Sequence, residues 1–417
     1  MKEKECPVQQ AYDPEILPDL LPLYYKRLFP HAPYYRWLSY GNVDSSVFTH
    51  REFSFTLLGD IYLRYQSFEN QSEFMEELCS KNPTKFDIGP VMTVRPRDHR
   101  SVPTMTPTQR ELVFDIDMTD YDEVRTCCSG ANVCAKCWKF MSIACRILDI
   151  ALREDFGFEH ILWVFSGRRG IHCWVCDETA RRLDNKGRSA VAEYLTLVNS
   201  GEVSRVNIGE KMHHSVRRAY RIVESLFDEV ILHEQNFFAT EKGLAFLVKS
   251  VTDDEIRKDL DVKLKAQENN SPAIWNCFAN YMSGLKHRGS LPRKLQNIVE
   301  EIQIALLYPR LDVNVTKGMN HLLKSPFCVH PGTGKVCVPI NPAAVSKFDP
   351  TNAPTITQIL EEISAFDEKN TQTQGAAEAN KIKDYKKTSL SKGLFVFEEF
   401  VRKLEASVKP RTAQEEF

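Results

Sequence analysis

The stretch Glu111-Leu112-Val113-Phe114-Asp115-Ile116-Asp117-Met118 decides how the rest of the chain is read. Its apolar residues predict a strand, in which Asp115 and Asp117 point to the same face with α-carbons roughly 6.5 Å apart. Two ionised carboxylates held that close repel, and each has its pKa pushed up unless a cation sits between them. A hard divalent metal relieves this, since Mg²⁺ is usually bound by one or two carboxylates plus substrate phosphates. Asp-x-Asp also caps turns, so the pair needs support from the sequence around it.

The 417 residues are 42% hydrophobic and 26% charged. That fits a globular chain of two or three domains, or one core domain with a large insert. Net charge is only −2, so any nucleic-acid site has to be a local basic surface. The N-terminal Met1-Lys2-Glu3-Lys4-Glu5-Cys6-Pro7 lacks the apolar core of a signal peptide. No apolar run reaches the roughly 18 to 20 residues that span a bilayer, and an intracellular protein is expected. There the 12 cysteines should be mostly reduced, and a cluster among them suggests metal before disulfide.

In chain order, residues 1–13 read as disordered. Ile16, Leu17, Leu20, Leu21, Tyr24 and Leu28 have helical spacing, with Pro18 and Pro22 shifting or breaking the first turns. The segments 51–57 and 61–68 alternate with period two around Gly59-Asp60, a hairpin whose outward residues Glu52, Tyr62 and Arg64 suggest a solvated face. A polar helical segment follows, then a segment from Lys85 that approaches the Asp-x-Asp strand, and an exposed loop over 95–109. Cys127, Cys128, Cys134 and Cys137 supply the four sulfurs of a closed, structural zinc site. A helix over 135–156 carries the stripe Trp138, Met141, Ala144, Cys145, Leu148, Ala151 and Leu152, with Gly157 as its cap.

Two apolar runs within 161–176 flank Ser166-Gly167-Arg168-Arg169-Gly170, which predicts paired strands closed by a cationic loop. Its glycines let backbone amides approach an anion, and its arginines offer planar forks to phosphate oxygens, a triphosphate grip. His172 follows on the returning strand, and Cys173 and Cys176 read as core. Residues 181–305 read as a mostly helical insert. Tyr308–Val315 is expected as a strand carrying Asp312 as a third carboxylate, with Lys324 and His330 next in reach of a bound anion. Residues 366–383 read as a linker, and a last helix over 391–404 is expected to dock through Phe395, Phe397 and Phe400.

Together, Val113–Tyr121, the cysteine cluster, Ser166–Trp174 and Arg310–Gly318 resemble the catalytic small subunit of eukaryotic DNA primase, of the archaeal and eukaryotic primase family. Arg51–Phe55, Tyr65–Phe68, His321–Phe327 and Asp384–Leu390 match as well. The likeness is close over 14–178 and 306–350 and weak over the insert. It implies a mixed α/β catalytic domain in two parts, 14–180 and 306–365, with a helical subdomain over 181–305 and a C-terminal segment over 384–417. It also implies a template-directed RNA polymerase that starts chains de novo. By position, Asp115, Asp117 and Asp312 would hold two Mg²⁺ or Mn²⁺ ions. Ser166, Arg168, Arg169 and His172 would grip the triphosphate, Lys324 and His330 would close on it, and Glu52, Tyr62 and Arg64 would line the pocket. The same resemblance implies a heterodimer with an iron–sulfur large subunit, docked to DNA polymerase alpha in the nucleus, acting on single-stranded DNA and ribonucleoside triphosphates. The residues alone also allow a metal-dependent phosphodiesterase or nuclease, and a non-catalytic zinc-bearing nucleic-acid adaptor.

Overall fold

The computed structural model describes residues 12–42, 44–199, 205–373 and 383–408. Among them are nine strands: β1 (Arg51–Leu57), β2 (Ile61–Gln66), β3 (Lys85–Met92), β4 (Pro107–Gln109), β5 (Leu112–Asp117), β6 (Ile161–Phe165), β7 (Gly170–Val175), β8 (Leu323–Lys324) and β9 (Pro339–Ile340). They form two sheets with antiparallel pairing throughout. One runs β2-β1-β3-β4 with β8 also on β3, and the other runs β5-β7-β6-β9. With helices around both sheets, the fold is the expected mixed α and β class.

Every residue of β6 and β7 is buried, because helices cover both faces of the second sheet. Trp163 and Trp174 show it. They lie one register step apart on neighbouring strands, so they point to opposite faces. Trp163 Nε1 donates to Asp149 at 2.9 Å, on the helix Ala135–Glu154. Trp174 meets Trp37 edge-on at 5.6 Å, and Trp37 in turn meets Phe397 at 5.7 Å. The expected stripe of the helix Ala135–Glu154 is buried along its length, and Gly157 follows it with φ +70°. Cys173 and Cys176 are core, as expected.

Of the remaining expectations, the break near Pro22 holds and others change. The first helix is divided into Leu17–Leu23 and a wider π turn over Tyr24–Leu28, because Pro22 has no N–H to continue the regular ladder. The segment around Asp312 is not a strand. Asp312 caps a short helix, Val313–Lys317, by accepting from the Asn314 amide at 3.1 Å, and aspartate favours that position. The residues read as a linker remain helical as far as Thr373; 374–382 lie outside the described residues, as do 1–11. The last helix extends over Ser391–Val408, with Phe397 and Phe400 buried but Phe395 70% exposed. The described residues within 181–305 are largely helical. No helix among the described residues is long and apolar enough to cross a membrane.

Candidate active site

β5 and β7 align so that Asp115 faces His172 and Asp117 faces Gly170. Directly opposed residues share one face of a sheet, so register alone brings His172 to Asp115, with Nε2 3.7 Å from Oδ1. The β6–β7 turn is built by two glycines. Gly167 has φ +87°, and a Cβ there would stand 2.7 Å from the His330 Cβ; a Cβ on Gly170 would stand 2.4 Å from the Ile116 carbonyl oxygen. The expectation that these glycines offer amides to an anion is corrected in part. The Gly170 amide donates to Ser166 Oγ at 2.9 Å, so Ser166 closes the turn.

The other sheet supplies the facing wall. Pairing of β3 with β8 sets Asp87 opposite Lys324, and Lys324 Nζ donates across to the Ser166 carbonyl. Between the sheets lies a cleft of about 290 Å³, lined by Asp115, Asp117, Ser166, Arg168, Arg169, His172, Lys324 and His330. Lys85, Asp87 and His321 line it too, and the sequence reading did not include them. The first two were visible as polar residues spaced by two on an apolar strand; His321 sits in an irregular segment with no such signal.

Asp312 is outside that lining, yet its amide donates to the Asp115 carbonyl at 3.2 Å. Its charge reaches Asp115, whose carboxyl is pushed up to about 7 by burial first, then by Asp117 and Asp312. Burial pushes Asp117 the same way, but the Thr119 amide and hydroxyl, at 2.8 and 2.7 Å, and Arg169 hold it below its ordinary value. Asp117 thus caps a turn while also facing the cleft. Arg169 Nε stands 2.7 and 2.9 Å from its two oxygens. His172 and His330 are pushed down to about 3 by burial and by Lys324, so both are neutral at pH 7. Arg168 is exposed and forms no ion pair among the described residues.

Glu52, Tyr62 and Arg64 are not among the residues that line this cleft. Glu52 is fully buried while Tyr62 and Arg64 are exposed, so the face expected to be solvated is covered at Glu52 and solvated at the other two. Gly89 allows this, since a Cβ there would lie 3.2 Å from the Glu52 Cβ and 3.1 Å from Leu322 Cγ, which folds over it. Arg64 Nε donates to Glu52 at 3.0 Å. Tyr62 donates to Ser54 at 3.1 Å, and Ser54 donates to Asp87 at 3.1 Å, which ties Tyr62 to the cleft wall. The carboxyl set suits a hard divalent cation: Asp117 and Asp312 stand close enough to raise Asp115, which has few donors of its own.

The ligand atoms of Cys127, Cys128, Cys134 and Cys137 all lie within 4.8 Å of one another. Zinc with Zn–S bonds of about 2.3 Å in a tetrahedron sets sulfurs roughly 3.8 Å apart. Cys134 stands 3.6 Å from Cys127 and 3.9 Å from Cys137, so the cluster fits a closed zinc site. Gln235, from the helical segment, supports it. Its Nε2 donates to Cys127 Sγ at 3.5 Å and its Oε1 accepts from the Thr126 amide at 2.7 Å.

Carboxylates on one sheet, facing cations on a turn and on a second sheet, fit an enzyme of metal-dependent phosphoryl transfer. Comparison with known proteins says which kind. Residues 114–342 match the family described as DNA primase small subunit. The chain is 56% identical to the DNA primase small subunit of Drosophila melanogaster, across 99% of this chain and 98% of that one. It is 43% identical to that of Schizosaccharomyces pombe, across 82% and 76%, and 37% identical to that of Saccharomyces cerevisiae, across 82% and 84%. The chain belongs to the family of DNA primase small subunits, and with it to the enzymes. A solved polymerase domain from Mycobacterium tuberculosis Ligase D in complex with DNA overlaps 87% of this chain and 96% of that one, at 10% identity and a TM-score of 0.36; nothing is built on so slight a likeness.

Proposed function

We propose that the chain synthesises short RNA primers de novo on single-stranded DNA for replication, in the cleft between the two sheets. The observation that carries this reading is one cleft that holds Asp115 and Asp117 together with Arg168, Arg169 and Lys324, with Asp312 close enough to act on Asp115. In the transfer, the 3′-oxygen of the growing chain bonds to the α-phosphorus of the incoming nucleotide. The α-phosphorus bond to the bridging oxygen breaks, pyrophosphate leaves with the electron pair, and the hydroxyl proton passes to solvent. Asp115, Asp117 and Asp312 would hold two Mg²⁺ or Mn²⁺ ions, which when bound lower the pKa of the 3′-hydroxyl and neutralise the leaving pyrophosphate.

The protein's own groups bind and orient the triphosphate. Arg168 is free to offer its planar fork, and Lys324 is held at the cleft wall by the Ser166 carbonyl. Neutral His172 and His330 donate hydrogen bonds without adding charge. Arg169 pairs with Asp117 through Nε, which leaves its terminal N–H groups to turn towards phosphate. Glu52, Tyr62 and Arg64 would extend the pocket for the nucleotide from β1 and β2. The four cysteines would hold a structural zinc ion that fixes the loop after β5. Membership of the family supports a heterodimer with a large subunit. The resemblance to the eukaryotic enzymes supports that subunit's iron–sulfur cluster, docking to DNA polymerase alpha and a nuclear location.

Arg168→Ala tests the triphosphate grip. Losing one charge-assisted fork should raise KM for ribonucleotides by about tenfold or more. An unchanged KM would remove Arg168 from the grip.

A further inference from the structure

A second recess, of about 260 Å³, adjoins the cleft, and Arg168 is the lining residue the two have in common. One wall comes from the cysteine loop, with Asn132 between Cys128 and Cys134. The other comes from the turn after His330, with Thr333 and Lys335, and from Thr351. No carboxylate lines it. Lys335 donates to the Pro350 carbonyl at 2.6 Å and forms no ion pair among the described residues. Thr333 is anchored to the Gly167 carbonyl at 2.7 Å, which fixes this wall to the turn that carries Arg168. The exposed Asn132 side chain makes no hydrogen bond among the described residues.

A concave, polar site with two cations and no carboxylate selects an anion. We propose that this recess is a departure site for inorganic pyrophosphate, which Arg168 passes from the cleft to Lys335 and Asn132. The proposal rests on the reading above, since pyrophosphate is the anion which nucleotidyl transfer releases beside Arg168. It also gives the cysteine loop a task in the reaction cycle: the loop forms one wall of the path by which the leaving group is cleared. Asn132 and Lys335 are then product-binding residues, and the incoming nucleotide is held without them.

The test uses the full chain in magnesium buffer and measures inorganic pyrophosphate and ATP binding separately by calorimetry, for wild type, Asn132→Asp and Lys335→Gln. Asn132→Asp keeps side-chain volume on an exposed residue and adds one negative charge to the recess. Pyrophosphate should bind about tenfold more weakly to either variant, with ATP affinity unchanged. Equal pyrophosphate affinity in all three proteins would overturn the proposal. So would parallel loss of ATP affinity, which would place these residues in the nucleotide grip. Primer synthesis by the wild type is assayed alongside: its absence would count against the proposed function, whereas the binding result bears on the recess alone.

Discussion

Arg169 directs its Nε at both carboxylate oxygens of Asp117, at 2.7 and 2.9 Å, so a guanidinium neutralises one of the acids of the cleft. Asp115, two residues earlier on the same strand face, has no such partner. The two carboxyls are driven apart: Asp117 is held low by Thr119 and Arg169 against the push of burial, while Asp115 is pushed up to about 7.

That asymmetry has a pH signature. A carboxyl whose folded pKa exceeds its unfolded value of about 3.9 favours the fold while protonated, and the stability is lost as pH rises from about 4 through 7. Asp115→Asn removes this loss. The variant should be more stable than wild type at pH 8 without divalent metal, by on the order of 1–2 kcal/mol, allowing for screening of a side chain that is 30% exposed. Mn²⁺ should raise Tm for wild type and leave Asp115→Asn nearly unmoved. Equal melting of the two proteins at pH 8 would contradict it.

At the start of the same strand, Glu111 is fully buried and bound by Arg51 at 2.6 and 2.9 Å, with Tyr40 at 2.5 Å. Burial opposes its charge, but Arg51 and Tyr40 hold its carboxyl down to about 2. The sign is opposite to that of Asp115. Stability is present above the ordinary glutamate value of about 4.3 and is lost as pH falls towards 2. Arg51→Met should cost about 3–5 kcal/mol at pH 7, because it strands a buried charge. Denaturant melts at pH 7 and pH 3 measure both effects, and a cost under about 1 kcal/mol at pH 7 would refute the first.

Gln235 reaches the cysteine loop from the helical segment. Ligand-supporting groups of this kind are worth about 10- to 100-fold in metal affinity. Gln235→Ala should lose zinc to a chelator at correspondingly lower concentration, and Cys134→Ser should lose the metal outright and melt lower. A full zinc equivalent in Cys134→Ser would remove the cluster as a zinc site.

On the last helix, Phe397 and Phe395 separate packing from pattern. Phe397 is buried against Trp37 and Phe327, and Phe397→Ala should cost about 3–5 kcal/mol. Phe395→Ala, on a ring 70% exposed, should stay within about 0.5 kcal/mol. Similar losses from the two would contradict the docking geometry.

These two phenylalanines also show where a sequence can be read and where it cannot. Spacing placed both on a helix; which of them faces Trp37 depends on how that helix is rotated against the sheet. The strands β5, β6 and β7 were legible because buried strands need long apolar runs, and Asp115, Asp117 and the arginine turn interrupt those runs. Asp312 was found as an acid but set on the wrong element, since Leu311, Val313 and Val315 suit a period of two as well as a short helix. Glu52 was read as solvated because nothing local announces Leu322, some 270 residues later, folding over it through the gap at Gly89. His321 and Lys335 belong to irregular segments, where position comes from tertiary packing and not from periodicity.

Primer synthesis by this chain is proposed to take place at Asp115. The most direct measurement is de novo synthesis from labelled ribonucleotides on single-stranded homopolymer DNA with Mg²⁺ or Mn²⁺, for wild type and Asp115→Asn side by side, with and without the large subunit. Short RNA products from wild type, lost by a factor of about 100 or more in the variant, is the predicted result. Comparable synthesis by Asp115→Asn, or none by well-folded wild type under any of these conditions, would contradict it.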